Sequence, residues 1–236
     1  VEQCDDGNVI NGDACEADCT WCAAARFDGE GSYAVINQKE QLPGLNHDFT
    51  LEVWVYWEPT NNLRFANLVV FGGATKLFQL RIDQVAQRVY FDHDDVANGP
   101  NGPIEPNRWT HIGVTHTDNR EVLYVDGQSV DDGDHGALGF SFQPPLYLGA
   151  SSAAGGFPFQ GLMRQVRISN GILYPNNFTP SWRYEEFGDV FGHWPLEVAD
   201  GQFTPAEDDF ENFKKLRLEG VVLESVGCQA GFCGDG

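Results

Sequence analysis

Basic residues are scarce in this 236-residue chain, which has 14 Lys and Arg against 35 Asp and Glu and a net charge of −21. So acidic a chain repels phosphate backbones and anionic lipid surfaces, and we expect no nucleic-acid partner. Long apolar runs are also missing. A membrane-spanning helix needs about 18 or more consecutive apolar residues, so we expect no membrane insertion. Aromatic residues make up 13% of the chain, which argues against disorder and indicates a packed core.

Cysteine is absent from the 205 residues between Cys22 and Cys228. The six cysteines lie in two short terminal segments: Cys4, Cys15, Cys19, Cys22, Cys228 and Cys233. An even number in segments with little apolar material predicts disulfide-stapled caps and an oxidising, extracellular compartment. The alternative is a zinc site formed by Cys15, Cys19 and Cys22, but no His lies near them.

Composition divides the chain into three segments. Residues 1–22 form a cysteine-rich fragment, residues 23–226 a β-rich domain, and residues 227–236 a cysteine-containing C-terminal segment. In the domain, strands are predicted at 33–36, 49–57, 66–72, 76–83, 88–92, 109–116, 121–126, 145–149, 159–169, 191–198 and 214–223. Many short strands without a long amphipathic helix predict an all-β fold, a two-sheet antiparallel sandwich with a small disulfide-stapled N-terminal cap.

The strand at 49–57 alternates apolar residues with a mixed second face. Trp54 and Tyr56 lie on that second face, which is either partly covered or the lining of a groove. Because exposed aromatic rings stack on sugars, Trp54 and Tyr56 are candidate ligand-binding residues, with Trp21 and Trp182 as further candidates. The remaining tryptophans are predicted to lie in the core: Trp57, Trp109 and Trp194.

Six motifs follow one another over about 150 residues of the domain. They are Ala-Arg-Phe-Asp-Gly (25–29), Phe-Thr-Leu-Glu-Val-Trp-Val (49–55), Asn-Arg-Trp-Thr-His-Ile-Gly-Val-Thr (107–115), Leu-Tyr-Val-Asp-Gly (123–127), Leu-Tyr-Leu-Gly (146–149) and Phe-Gln-Gly-Leu-Met-Arg-Gln-Val-Arg-Ile (159–168). This ordered set resembles the laminin-G-like, concanavalin-type jelly-roll family. The resemblance implies a jelly-roll sandwich. It does not single out a function, because the fold carries lectins, adhesion modules, enzyme appendages and receptors.

The N-terminal segment resembles a cysteine-rich repeat of secreted myxobacterial-type proteins. The matching residues are Glu-Gln-Cys-Asp-Asp-Gly-Asn (2–8) and Gly-Asp-Ala-Cys (12–15). That repeat opens with Cys-Gly-Asp-Gly, which this chain has at 233–236. The resemblance implies a secreted or cell-surface protein with several repeats.

The two terminal segments are predicted to be joined by a disulfide, with Cys22–Cys228 as the expected pair, since the termini of a sandwich often lie close together. The alternative is that the four N-terminal cysteines pair among themselves, leaving Cys228–Cys233 as a local loop.

Two loops are rich in oxygen-bearing side chains. Asp6, Asn8 and Asp13 lie in a tight Gly-rich loop that suits calcium, although no strict calcium motif is matched. The alternative is a set of Asx-turns in which these side chains bind their own backbone.

The second loop contains His93, Asp94 and Asp95, candidate ligand-binding residues unless the loop is only a solvated acidic one. Counting strand reversals, we expect the whole loop 93–107 at the same end of the sandwich as the Asp126-Gly127 turn, and 131–135 at the opposite end.

The resemblance also implies a cation near the Phe-Asp-Gly turn in many relatives, held by acidic residues where this chain has Arg164 and Gln165. We expect Arg164 to replace that cation and to pair with Asp28 or Glu30.

We therefore expect an extracellular, non-catalytic module that binds glycan or protein ligands, with calcium in some role. An alternative is a polysaccharide-cleaving sandwich enzyme that uses Glu207, Asp209 and Glu211, whose spacing would place three carboxylates on one strand face. Pro205 precedes this triplet and no apolar strand carries it, which argues against catalysis. A structural spacer in a repeat array is the third possibility.

Overall fold

The computed structural model describes residues 22–36, 48–60, 63–72, 78–93, 99–117, 120–133, 145–182, 184, 189–196 and 216–226. All regular elements in these residues are β-strands, and all strand pairs are antiparallel. The strands are β1 (Cys22–Asp28), β2 (Tyr33–Ile36), β3 (Phe49–Trp57), β4 (Phe65–Phe71), β5 (Phe78–Asp83), β6 (Arg88–His93), β7 (Asn101–Pro103), β8 (Trp109–Thr117), β9 (Arg120–Val125), β10 (Gln128–Gly133), β11 (Leu146–Leu148), β12 (Gln160–Asn170), β13 (Asp189–Trp194), β14 (Arg217–Glu219) and β15 (Val222–Val226).

The strands form two sheets. The eight-stranded sheet has the order β10-β9-β8-β3-β12-β1-β15, with β13 also paired to β12. The seven-stranded sheet has the order β14-β2-β11-β4-β5-β6-β7. Neighbours in both sheets include strands far apart in sequence, such as β3 and β12, as expected for a jelly roll. The predicted all-β, two-sheet antiparallel sandwich is confirmed.

The hydrophobic core lies between the two sheets. On β3 every odd residue from Phe49 to Trp57 is fully buried in it, as the alternation predicts. Phe49 stacks on Phe78 of the opposite sheet at 5.3 Å between ring centroids, and Phe78 stacks on Phe71. Each such ring stabilises the fold by about 1.5–3 kcal/mol through its removal from water. The even positions of β3 face outward, toward the candidate site.

A β-bulge in β12 controls which of its side chains face outward. The register shifts between Arg164, which pairs with Trp54, and Arg167, which pairs with Glu52. Gln165 in the bulge has a positive φ of 51°. Residues three apart on a regular strand point to opposite faces, but the extra residue brings both arginines to the outer face. Beyond the bulge, β12 pairs with β13 as well as with β3.

Both long edges of the sandwich are closed by contacts between the sheets. At one edge Asn101 of β7 donates from its backbone and its amide to the carboxylate of Asp131 on β10, at 3.0 and 3.3 Å. Gly102 allows this approach, since a Cβ there would lie 2.4 Å from Val130. At the other edge, β14 and β15 belong to different sheets and are joined through Gly220, which has a φ of +68°.

Three strands were not predicted from the sequence: β1, β7 and β10. The predicted strand at 214–223 is two strands, β14 and β15. The three strands that were not predicted, β1, β7 and β10, are short, polar or alanine-rich. Their strand conformation therefore comes from pairing with neighbouring strands and not from local propensity. Trp57 and Trp194 are fully buried, as predicted.

The predicted ends of the sandwich need one correction. Phe78, which pairs with His93, stacks on Phe49, and Phe49 stacks on His116. His116 pairs with Glu121, and Glu121 pairs with Gly133 at the end of β10. His93 therefore lies at the end of the sandwich where β10 finishes, opposite the Asp126-Gly127 turn. The expectation that all of loop 93–107 shares an end with that turn is wrong, because β7 adds a reversal within the loop.

Candidate functional site

Four aromatic rings cluster on the outer face of the eight-stranded sheet. Trp54 and Tyr56 come from β3, Trp109 from β8, and Trp182 from the segment after β12; all four are half-buried. Ring centroids are 4.4 Å apart for Trp54 and Trp182, 5.4 Å for Trp109 and Trp182, and 5.9 Å for Tyr56 and Trp109, all edge-to-face. We refer to these four residues as the aromatic platform.

Strand register explains why Trp109 joins the platform. Trp109 lies directly opposite Tyr56 in the β3–β8 pair, so both rings occupy the same face. The prediction that Trp109 lies in the core is therefore wrong. The alternation along β8 indicates the correct face, because Ile112 and Val114 have the opposite parity to Trp109 and point into the core.

Residues 171–182 run as a strap across the outer face of the eight-stranded sheet. Phe178 donates its backbone N–H to the carbonyl oxygen of Gly127 at 2.9 Å. The indole N–H of Trp54 donates to the carbonyl oxygen of Ser181 at 3.0 Å. The strap therefore fixes one ring of the platform through a hydrogen bond and contributes another, Trp182.

Further hydrogen bonds attach the strap to β9 and β10. The amide of Asn177 accepts from the Ser129 backbone at 2.9 Å and donates to Gln128 at 3.0 Å. The hydroxyl of Tyr124 donates to the carbonyl oxygen of Tyr174 at 2.8 Å. A second surface feature, a cavity of about 420 Å³, lies between the strap and these strands and is lined by Arg120, Val122, Tyr124, Ser129, Pro175, Asn176 and Asn177.

A buried polar network lies beneath the strap. Arg167 donates from Nε to Glu52 at 2.9 Å and from Nη2 to the hydroxyl of Tyr174 at 3.1 Å. His111 Nε2 lies 3.3 Å from Glu52 and 3.0 Å from the Tyr184 hydroxyl. Burial alone would raise the pKa of Glu52, but the hydrogen bond to His111 and the charge of Arg167 outweigh it and lower the pKa. Glu52, His111, Arg167 and Tyr184 are buried, and only Tyr174 is partly exposed.

Charged residues border the platform on two sides. On one side Arg26 donates to Glu58 at 2.7 Å and to Glu224 at 2.6 Å. Arg26 lies opposite Leu162 on β12, and Leu162 lies opposite Tyr56, so this triad is two strands from the platform.

On the other side Arg108, next to Trp109, bonds Glu105 at 3.1 Å and Asp126 at 2.8 Å. The rim of the platform is thus formed by two arginines and four carboxylates.

Arg164 does not pair with Asp28 or Glu30, so that prediction is wrong. Asp28 accepts hydrogen bonds from its own turn, from the backbone N–H groups of Glu30, Gly31 and Ser32. Arg164 lies four residues along β12 from the partner of Asp28, about 13 Å away, too far for the side chain to reach. Its guanidinium instead lies 4.4 Å from the ring centre of Trp182, a cation–π contact that supports the platform.

The structure separates the predicted ligand-binding residues. Trp54 and Tyr56 lie together on the eight-stranded sheet, whereas His93 ends β6 on the other sheet, at the opposite end of the sandwich. Asp94 and Asp95 lie outside the described residues. So do the predicted calcium ligands Asp6, Asn8 and Asp13, and the alternative catalytic residues Glu207, Asp209 and Glu211. Within the described ranges, no three His, Cys, Asp or Glu side chains are grouped to hold a metal ion.

Of the six cysteines, only Cys22 lies in the described residues. It begins β1 and is paired in register with Val226, two positions before Cys228 in the sequence. The other cysteines, Cys4, Cys15, Cys19, Cys228 and Cys233, lie outside them. The described part of the chain contains no helix long and apolar enough to cross a membrane.

Solved structures with the same fold come from several organisms. A Bacteroides ovatus protein described as a candidate carbohydrate-binding protein is 17% identical with a TM-score of 0.67; the match covers 90% of this chain and 62% of that one. A pentraxin from Limulus polyphemus is 11% identical with a TM-score of 0.61, covering 89% and 96%. The carbohydrate-binding module CBM40 of a Ruminococcus gnavus sialidase, bound to α2,3-sialyllactose, is 14% identical with a TM-score of 0.51, covering 66% and 95%.

At these identities the likeness shows the fold. The chain spans about three fifths of the length of the Bacteroides protein. None of the curated proteins compared with the chain matches its sequence. A family model of the laminin G type matches residues 28–177, more than half of the chain. The chain belongs to the family described as the concanavalin A-like lectin/glucanases superfamily.

Proposed function

We propose that this chain is a non-catalytic, extracellular glycan-binding module and that the aromatic platform is its binding surface. The observation that carries the proposal is the cluster of Trp54, Tyr56, Trp109 and Trp182 on an outer sheet face, each ring half-buried. A soluble domain gains stability by burying such rings fully, so their partial exposure side by side favours a ligand that covers them. The apolar C–H face of a pyranose ring suits this surface.

The platform is rigid enough to bind without rearrangement. Trp54 is held by its hydrogen bond to Ser181, and Trp182 lies between Arg164 and the other rings. Fixed rings lose little conformational entropy on binding, which leaves more of the contact energy for affinity. Two solved structures with this fold are named for carbohydrate binding, which supports a glycan over a protein ligand.

A glycan array and two platform variants test the proposal. Trp109→Ala and Tyr56→Ala are expected to weaken binding of any glycan retained by the wild type at least about tenfold, the effect of losing one central aromatic contact. Tyr90→Ala, which removes a half-buried ring from the outer face of the seven-stranded sheet, is the matched control and is expected to bind like the wild type. Circular dichroism verifies that each variant is folded.

The proposal would be contradicted if all three variants lost glycan binding equally. It would also be contradicted if the two platform variants bound glycans like the wild type. The same glycans are assayed for new reducing ends; cleavage that disappears in Glu207→Gln and Glu211→Gln would establish the enzyme alternative instead. Repeating the array with a chelator tests the predicted calcium requirement, which a loss of binding on chelation would support.

A further inference from the structure

We infer that the platform selects neutral glycans and rejects glycans that carry carboxylate or sulfate groups. This inference rests on the proposed function and adds the ligand class. It follows from two observations: the arginines already have partners, and carboxylates around the platform are exposed.

All arginines in the described ranges already have partners. These ranges contain nine arginines and no lysine. At least seven of the nine form ion pairs with carboxylates: Arg26, Arg64, Arg81, Arg108, Arg120, Arg167 and Arg217. Of the other two, Arg88 donates to Asn101 and Arg164 lies over Trp182. An acidic sugar would therefore have to displace an existing partner to gain a cationic contact in this part of the protein.

On each side of the platform, one carboxylate of the rim is more exposed than the arginine with which it pairs. Arg26 is 25% exposed, whereas Glu224, its partner, is 46% exposed. Arg108 is 43% exposed against 76% for Glu105. A ligand that approaches the platform therefore meets outward-facing carboxylates on both sides, in a protein whose net charge is −21. Repulsion from this rim disfavours an anionic ligand and leaves a neutral one unaffected.

A neutral sugar matches the groups that the rim offers. Its hydroxyls can donate hydrogen bonds to Glu58, two residues after Tyr56 in the chain, and to Asp126, which bonds Arg108, the neighbour of Trp109 in the sequence. Hydrogen bonds to charged acceptors are stronger than those between neutral groups, so the rim can orient a sugar that the rings hold. Ring stacking then supplies contact area, and the carboxylates select hydroxyls over acidic substituents.

Matched glycan pairs test the selectivity. The wild type is applied to an array on which each neutral glycan is accompanied by its sialylated, sulfated or uronate derivative, for example lactose and α2,3-sialyllactose. We expect the acidic member of each bound pair to bind at least about tenfold more weakly when the added group falls at the rim. Binding of the neutral member is expected to change little between low and physiological salt, since no ion pair is formed.

A gain of binding tests the physical cause. The double variant Glu58→Gln/Glu224→Gln removes both partners of Arg26 and lowers the repulsion, so we expect it to bind the acidic derivatives about fivefold more strongly than the wild type does. The control, Asp132→Asn/Glu219→Gln, makes the same change in net charge and removes the partners of Arg120 and Arg217 away from the platform. It is expected to leave the preference unchanged.

The outcomes separate the two proposals. Stronger binding of acidic than of neutral glycans, lost in Trp109→Ala, would overturn this inference and leave the proposed function intact. An unchanged preference in Glu58→Gln/Glu224→Gln would show that the rim does not set it and would also overturn the inference. An array that retains nothing would contradict the proposed function, and this inference with it.

Discussion

Glu121 is a carboxylic acid that faces the interior of the sandwich. It lies on β9 opposite His116, with its carboxylate 3.8 Å from the imidazole Nε2, and it is almost fully buried. Burial, together with the negative charge of Asp92, raises the pKa of Glu121 to about 8. In the unfolded chain a glutamic acid has a pKa near 4.3.

This difference predicts that the stability of the wild type falls as the pH rises from about 5 to 8. In that window the folded protein retains a proton that the unfolded chain has released, so raising the pH favours unfolding, by at most about 1.4 kcal/mol per pH unit. Glu121→Gln removes the titrating group and is expected to be stabilised relative to the wild type increasingly toward pH 8. Denaturant titrations at pH 5, 6.5 and 8 measure the effect.

The exposed Glu30→Gln serves as the control for loss of one carboxylate and is expected to follow the wild type. If the free energies of unfolding of Glu121→Gln and the wild type change with pH in the same way across this range, the assignment of the raised pKa to Glu121 is contradicted.

Individual side chains differ in how far the sequence alone could place them. The parity of β3 predicted that Trp54 and Tyr56 face away from the core, because period two is a local property. Arg164 was misplaced because its neighbours depend on register across β12, and on a strap whose path no local pattern encodes. The position of Trp109, by contrast, follows from the parity of β8, in which Ile112 and Val114 point into the core.

At the level of elements, the strap depends on a close approach to the β9–β10 turn. Asp126 and Gly127 both have positive φ, 49° and 72°, as a two-residue hairpin turn between β9 and β10 requires. A Cβ on Gly127 would lie 2.0 Å from the carbonyl oxygen of Phe178. The backbone contact that holds the strap in place therefore requires a glycine at this position.

Gly127→Ala is predicted to detach the strap from the turn. We expect it to lower the free energy of unfolding by about 3 kcal/mol, from left-handed strain of about 1–2 kcal/mol and the displaced strap contact. Gly171→Ala is the matched control: its φ is +84°, but a Cβ there would have no atom within 4 Å, so only the strain term applies. Denaturant unfolding measures both, and tryptophan fluorescence reports on Trp182. Equal losses in the two variants would contradict the close-approach argument.

Elements with strong alternation were predictable and those fixed by pairing were not. The predicted bounds of β2 and β3 agree with the structure at both ends. β7, with the sequence Asn-Gly-Pro, has the composition of a turn, yet it pairs with β6 and contacts β10. Missing this one strand was enough to place His93 at the wrong end of the sandwich, because each reversal changes the end at which the next loop lies.

For the whole molecule, the jelly roll brings the first and last described strands together. β1 and β15 are neighbours in the eight-stranded sheet although about 200 residues separate them in sequence. The strand pattern and the ordered motifs made the sandwich predictable, and the family model agrees with it. The pairing of β1 with β15 was predictable only as the general tendency of sandwich termini to lie close together.

This pairing supports a disulfide between Cys22 and Cys228. Cys22 lies opposite Val226, and Cys228 follows Val226 by two residues, so a short continuation of the chain suffices for the bond. Closing a loop of about 200 residues is expected to stabilise the fold by up to about 5 kcal/mol in the chain-entropy model, with native-state strain reducing the gain. Reduction is therefore expected to lower the unfolding midpoint, and Cys228→Ser is expected to do so without a reductant.

Peptide mapping under non-reducing conditions identifies the bond, with the reduced protein as the control. We expect a fragment that links the peptide containing Cys22 to the peptide containing Cys228, and its disappearance on reduction. A Cys228–Cys233 peptide without any link to the N-terminal segment would contradict the prediction. In that case the β1–β15 pair would be held by its backbone hydrogen bonds and by the Arg26–Glu224 ion pair, without a covalent link at this edge of the sandwich.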